Sequence, residues 1–492
     1  MAGTLHINFS SRQRALLFGG ETLMDVVVIG AGPAGIVAAH RAAELGAQTV
    51  LVTRGEVGGM AANDGPIPVR VLAQAARLLR EAKQLGKYGI SVSEPILDYS
   101  KLLARTREVV HDVREHAARR EQLENVGVTI YDNSGIARFV DAHTIETGRG
   151  LRVRTDKIIL SAGGTSRRLP IPGFELTSTH SDAWSLAAIP PSMIVVGAGA
   201  TGVQVASIFQ ALGSRVQLFQ AGPRILPTED EDVSAVVTTA FRESGMVVRE
   251  NFGTIESFEK TPSGVRMTFT KEGARDSAEA TLVVVAIGWV ADTAGLNLPA
   301  AGVETNARGY VQVDPYLQTS APNIFAAGDI TGRLMLVPQG VHDGFVAATN
   351  AVRGATMTIG DQVSPIGSFT EPEYAQVGIT EAKARETHDV VVSIVHFDET
   401  VRTIIDGRTT GFCKLIVDRA IGKILGCHVV GERAVEIAQV VAIAIAGDLR
   451  VDKMARIPLS FPTYAGILVR AAYRAAQQIY PEFRGQDAVV EK

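Results

Sequence analysis

Asp25-Val26-Val27-Val28-Ile29-Gly30-Ala31-Gly32-Pro33-Ala34-Gly35 is the stretch on which the fold turns. Its β-branched start reads as a strand and the alanine-rich Ile36 to Leu45 as a helix, so the glycines fall on a strand-to-helix turn. Gly30 makes the turn and Gly32 lets a diphosphate approach the backbone. Gly35 lets the helix pack closely, with its first N–H groups aimed at phosphate oxygens. Pro33 and Ala34 complete this dinucleotide-binding turn. Gln48 to Thr53 supplies a second strand, and the ribose-reading position ~20 residues on is Thr53. Its hydroxyl can hold a ribose, though less strongly than a carboxylate.

The pattern occurs twice. Met193 to Val196 leads into Gly197-Ala198-Gly199-Ala200-Thr201-Gly202, a helix to Leu212 and a strand Arg215 to Phe219. Two such units imply two dinucleotides, and one flavin with one exchanging nicotinamide makes chemical sense, because a flavin accepts a hydride and passes electrons onward. At the second ribose position stands Gln220. A carboxylate there favours NAD and an arginine favours NADP, so Gln220 leaves the choice open, with Arg224 as a candidate phosphate partner.

A chain of 492 residues, 46% hydrophobic and 20% charged, exceeds one core and is expected to form two to four domains. The 48 basic and 52 acidic residues give a net charge of -4, which argues against a nucleic-acid or anionic-membrane surface. Cys413 and Cys427 are the only cysteines. Each lies in an apolar strand-like run, which excludes a disulfide scaffold and a cysteine-rich metal site and predicts buried, reduced thiols. His111 and His116 are five apart, off a common helix face, and no metal site is expected. No apolar run approaches a membrane span, and residues 1–23 read as an extension without a cleavable signal, so a cytoplasmic location is expected.

Further motifs carry a resemblance. Ile158-Ile159-Leu160-Ser161-Ala162-Gly163-Gly164, then Val285-Ala286-Ile287-Gly288 with Asp292-Thr293, then Thr319 to Asp329 ending Ala326-Ala327-Gly328-Asp329, resemble the class I flavoprotein pyridine nucleotide-disulfide oxidoreductases. That family includes lipoamide dehydrogenase, glutathione reductase and mercuric reductase. Phe369 to Glu381 and Gly411 to Gly431 are similar to its interface domain. The resemblance implies an α/β fold with two Rossmann-like dinucleotide-binding domains and a C-terminal α+β dimerisation domain. The expected parts are an extension (1–23), an FAD-binding part (24–165), an NAD(P)-binding domain (166–289), a second FAD-binding part (290–360) and an interface domain (361–492). It also implies a homodimer, FAD on Arg54, Gly58, Gly59, Ala162, Gly163, Gly328, Asp329 and Val337 besides the first turn and Thr53, and NAD(P)H on the second turn with Ala286 and Gly288. Asp329 is expected to accept a hydrogen bond from the FAD ribitol. The helix after Leu336 is expected to aim its N-terminus at the flavin ring. Ala200 replaces an aromatic gate over the nicotinamide pocket.

The departures from the family bear on chemistry. Its redox disulfide lies in GGTCxNxGCxPSK, where this chain has Gly58-Gly59-Met60-Ala61-Ala62-Asn63-Asp64-Gly65-Pro66-Ile67-Pro68-Val69-Arg70. Ala61 and Pro66 replace the cysteines, and neither supplies the thiolate that disulfide exchange requires. The HPTxSE acid-base segment is matched by Phe461-Pro462-Thr463-Tyr464-Ala465-Gly466, without its histidine or its glutamate. Arg70 and Gln204 stand for a lysine and glutamate beside the flavin. These replacements predict an apolar, aromatic acceptor pocket of Ala61, Pro66, Phe461 and Tyr464, suited to a planar ring. The expected activity is an NAD(P)H:quinone or diaphorase-like oxidoreductase passing electrons to a small-molecule acceptor. The alternatives are NADH/NADP transhydrogenation and a non-catalytic flavin-bearing sensor or scaffold.

Overall fold

Alternate residues of one apolar strand bury on opposite faces of a sheet, and the strand Thr22–Ile29 does this at the centre of the first of two units. The computed structural model describes residues 22–117, 120–360 and 363–483. Contacts divide the chain into one unit of Met1–Val71, Ala104–Arg167 and Trp289–Asp361 and a second of Leu72–Leu103, Arg168–Gly288 and Gln362–Lys492.

In the first unit, Thr129–Tyr131, Thr49–Val52, Thr22–Ile29, Arg152–Leu160 and Ile324–Ala326 lie side by side and parallel, with Val27 opposite Val50 and Ile158. The early part of Arg152–Leu160 also pairs antiparallel with Thr144–Thr147, which pairs with Ala137–Asp141. Val27, Ile29, Ile158 and Leu160 enter one core. Val26, Val28 and Ile159 enter another, beneath the helices Pro33–Glu44 and Val337–Arg353. The backbones of those helices nearly touch, since a Cβ on Gly344 would stand 2.1 Å from the carbonyl oxygen of Ala34.

The second unit contains a parallel sheet ordered Val247–Glu250, Arg215–Gln220, Ser192–Val196, Leu282–Val285. An antiparallel meander of Thr254–Thr261, Gly264–Lys271 and Ala274–Ala280 belongs to the same unit. Its C-terminal part is a five-stranded antiparallel sheet, ordered Ile366–Ser368, Tyr374–Gly378, Ile424–Val430, Phe412–Asp418, Val390–His396. The helices Ala434–Ala446 and Gly466–Ile479 pack on it. Cys413 and Cys427 are buried there as free thiols, their sulfurs 3.8 Å apart.

The first strand begins at Thr22, two residues before Met24, because Thr22 and Leu23 extend the ladder to Val153 and Arg154. Residues 1–21 of the expected extension lie outside the described residues. The charged stretch from Asp98 to Asn125 includes two helices, Tyr99–Ala117 and Arg120–Asn125, and the side chain of His116 lies outside the described residues. Among the described residues no helix is long and apolar enough to cross a membrane, and no cluster of His, Cys, Asp or Glu fits a metal.

Candidate dinucleotide sites

In the first unit the glycine turn has two tight contacts and one open side. Gly30 adopts φ +104°, and a Cβ on it would stand 2.2 Å from the Ser161 carbonyl oxygen. A Cβ on Gly35 would stand 1.8 Å from the Gly30 carbonyl oxygen, whereas one on Gly32 would meet nothing within 4 Å. The first and third glycines are therefore required by packing, and the second faces free space before the N-terminus of Pro33–Glu44. That is the arrangement a diphosphate needs.

Around this opening Gly58 N–H donates to the Ala31 carbonyl at 2.8 Å, and a Cβ on Gly59, at φ +56°, would lie 2.5 Å from Gly32 Cα. Ser161 was not singled out as a site residue, yet its hydroxyl donates to the Ile29 and Gly30 carbonyls, both at 3.0 Å, and clamps the turn. Ala162 packs beside the sheet, and Gly163 has open space over its Cα. Thr53 is buried at the end of its strand. Arg54 pairs with Asp292 at 3.1 Å, and the Asp292 N–H donates to the Gly163 carbonyl.

Asp329 lies in the turn Gly328–Thr331, and burial, with the nearby Asp343 carboxylate, raises its pKa from the ordinary aspartate value. A carboxyl so desolvated suits a hydroxyl partner such as a ribitol. Asp343 itself, also missed in the sequence, accepts from Arg333 at 2.9 Å and Gln339 at 2.7 Å on one oxygen. Val337 is half-exposed in the first turn of Val337–Arg353. Ser161 lies inside the motif Ile158 to Gly164, but its two partners are 132 and 131 residues away, whereas Asp343 is bonded by residues 4 and 10 positions before it.

The turn in the second unit repeats this geometry. A Cβ on Gly197 would stand 2.4 Å from the Ala286 carbonyl oxygen and one on Gly202 1.7 Å from that of Gly197, while one on Gly199 or Gly288 would meet nothing within 4 Å. Ala200 and Thr201 open the helix Ala200–Ala211 behind Gly199. The Gln220 side-chain oxygen accepts the Ala198 N–H at 3.0 Å. Arg224 differs from the expectation of a free phosphate partner: its guanidinium donates to the carbonyls of Leu226, Pro227 and Glu229 at 2.8, 3.1 and 3.0 Å and braces its own loop. Each of the two turns fits the diphosphate of a dinucleotide.

The positions of the lost thiol machinery fall in both units. In the first, Ala61 lies in the short helix Gly59–Asn63, Pro66 is exposed where Pro66–Ala82 starts, and Arg70 is half-buried one turn later. In the second, the Gln204 amide donates to the Ala200 carbonyl at 3.1 Å. Phe461 is 78% exposed. The side chains around Tyr464 are largely charged. Its hydroxyl donates to Asp406 at 2.7 Å, and it lines a cavity of about 560 Å³ with Arg77, Arg402, Arg408 and Glu432. Arg77 bonds Glu81 at 2.7 Å and also pairs with Glu432. Nearby, burial and the Glu432 charge push the Glu373 carboxyl up to about 7.

Residues 24–344 match the pyridine nucleotide-disulphide oxidoreductases and residues 364–472 the dimerisation domain of that family, which supports a homodimer. The chain is 31% identical over 466 residues to a mercuric reductase of Lysinibacillus sphaericus, covering 94% of this chain and 84% of the relative. It is 32% identical over 451 residues to a dihydrolipoyl dehydrogenase of Haemophilus influenzae, covering 90% and 93%. The solved Cu(II) complex of the HOCl-induced flavoprotein disulfide reductase RclA from Escherichia coli superposes with a TM-score of 0.82 at 25% identity, covering 92% of this chain and 99% of that one. With two glycine turns shaped for dinucleotides and both domains matched, this chain belongs to the FAD- and NAD(P)H-using pyridine nucleotide-disulphide oxidoreductases.

Proposed function

We propose that the protein is a cytoplasmic, homodimeric NAD(P)H oxidoreductase that delivers electrons to a planar, quinone-type acceptor rather than to a disulfide. The observation that carries this reading is the absence of any cysteine before Cys413, in a chain whose relatives include a flavoprotein disulfide reductase. Cys413 and Cys427 are wholly buried in the C-terminal sheet, so they offer no thiolate to a substrate. Two reduced thiols also suit a reducing compartment.

What survives is the part of the chemistry that needs only binding and electrostatics. When bound, FAD supplies hydride acceptance and onward electron transfer. The turn at Gly32 offers backbone N–H groups to its diphosphate, and Asp329 offers a carboxyl to its ribitol. The N-terminal end of Val337–Arg353 offers a positive dipole end to developing negative charge. Arg70 adds a fixed cation where the family carries a lysine. Phe461 presents an exposed aromatic surface where the family presents an acid-base histidine, which favours contact with a flat ring over proton delivery to a thiol.

The test is an anaerobic absorbance titration with NADH, and separately NADPH, followed by a quinone. Bleaching of the flavin band by nucleotide and recolouring by quinone, faster than free flavin achieves, is expected. A band that bleaches but is recoloured only by a second nicotinamide would favour transhydrogenation. A band that stays oxidised with both nucleotides would favour a sensor or scaffold.

A further inference from the structure

The second glycine turn carries its own evidence on which nicotinamide nucleotide it takes. A residue at the end of the second strand of such a unit reads the ribose 2′ position. Here that residue is Gln220, and its orientation is fixed by chemistry. The Ala198 N–H can only donate, so the amide oxygen of Gln220 faces it, at 3.0 Å. The NH2 group is therefore turned away from Ala198, toward the Gly222 side, where a Cβ on Gly222 would approach it to 3.1 Å. What this position has left to offer a ribose is a neutral N–H donor.

The charges nearby are already engaged. Arg224 is turned back onto three carbonyls of its own loop. Glu250, opposite Gln220 in the sheet, accepts the Ile225 N–H at 3.0 Å and pairs with Arg242 at 2.9 Å. Arg249 stacks on Phe219, 5.4 Å from the ring centre, and reaches Asp276 at 3.5 Å. None of these presents a free carboxylate to repel a 2′-phosphate or a free guanidinium to select one.

We infer that Gln220 makes the nicotinamide site indifferent to the 2′ substituent, so that the protein takes NADH and NADPH comparably. An amide N–H can donate to a 2′-hydroxyl oxygen or to a 2′-phosphate oxygen. The carboxylate that rejects NADP and the guanidinium that demands it are both missing. Gln220 is thus the specificity-determining residue, acting by what it declines to discriminate. The inference concerns nucleotide binding alone and is independent of the acceptor.

Isothermal titration of the oxidised holoenzyme with NAD+ and with NADP+ tests it. The two dissociation constants are expected to differ by less than about tenfold, the scale of one modest polar contact. Gln220→Glu keeps an oxygen for the Ala198 N–H and replaces the NH2 with a second carboxylate oxygen. It is expected to weaken NADP+ by at least about tenfold through repulsion and to leave NAD+ as tight or tighter. Arg224→Gln is expected to lower the thermal midpoint, by unbracing its loop, without changing the ratio of the two constants. The inference is overturned by a larger preference in the wild-type protein, by an unchanged ratio in Gln220→Glu, or by selective loss of NADP+ binding in Arg224→Gln.

Discussion

Gly32 and Gly35 separate two reasons for a glycine. At Gly35 an added methyl would press on the Gly30 carbonyl and come within 2.6 Å of the Ser161 hydroxyl, so Gly35→Ala should cost roughly 1–3 kcal/mol or more in urea unfolding and also lower the flavin content. At Gly32 the methyl meets no protein atom and φ is -75°, so Gly32→Ala should leave apoprotein stability unchanged within about 0.5 kcal/mol while flavin per chain falls. Equal losses of stability in the two variants would refute this division. Glu229 makes a second residue-scale case. It is buried, one oxygen accepting the Gln376 amide at 3.1 Å, and burial pushes its carboxyl up to about 7 from 4.5. The folded state therefore holds a proton that the unfolded state releases. The contribution is fully present below the unfolded value and is lost as pH rises through the folded one. The dependence approaches 1.4 kcal/mol per pH unit between roughly pH 5 and 7 at its steepest. Glu229→Gln should flatten the fall of the urea midpoint over that interval, leaving the similar contribution of Glu373; an undiminished slope would show that Glu229 is already ionised.

At the level of elements, one cation ties three together. Lys414, on the strand Phe412–Asp418, is 2% exposed. It bonds Asp230 and Asp232 at 2.8 and 2.6 Å, at the start of the helix Glu231–Glu243, and Glu381 at 2.7 Å, at the start of Glu381–Arg385. Burial works against its charge, but the three carboxylates outweigh it and hold the ammonium pKa above the ordinary lysine value. Lys414→Met would leave Asp230 buried without its cation, and a loss of roughly 3–5 kcal/mol is expected in urea unfolding; a loss near zero would mean that water already serves these carboxylates. This knot was not legible in the sequence, because Lys414 and Asp230 are 184 residues apart. What was legible is local: a β-branched strand, a glycine turn and a small-residue helix within about 20 residues specify a dinucleotide unit by short-range geometry. The orientation of Gln220, the engagement of Arg224 and the charged cavity at Tyr464 were not legible either. Each depends on what a side chain meets after folding, and Arg77 meets Glu432 from 355 residues away. The replacement of both cysteines and the acid-base histidine needed only the residues themselves.

Across the whole molecule, the distribution of sulfur separates this chain's proposed chemistry from that of a disulfide reductase. A reductase that cycles a disulfide exposes a thiolate after reduction, and an alkylating reagent then traps it. Here the two cysteines lie among Leu415, Val429 and Ala438 in the core of the C-terminal sheet, each with no exposed surface. Mutual contact and burial raise the Cys427 thiol well above its ordinary value, so it stays protonated and unreactive in the folded protein. Reduction by NADH creates no new nucleophile if electrons leave the flavin directly for a quinone. Treatment of the NADH-reduced protein with iodoacetamide should therefore leave its quinone reductase activity within about 20% of the untreated value, on the ground that a buried thiol is inert. Intact-protein mass measurement should show no added carbamidomethyl group until the chain is unfolded, when two should appear. Alkylation of the native, reduced protein with parallel loss of activity would place a cysteine on the electron path and would overturn the thiol-free route.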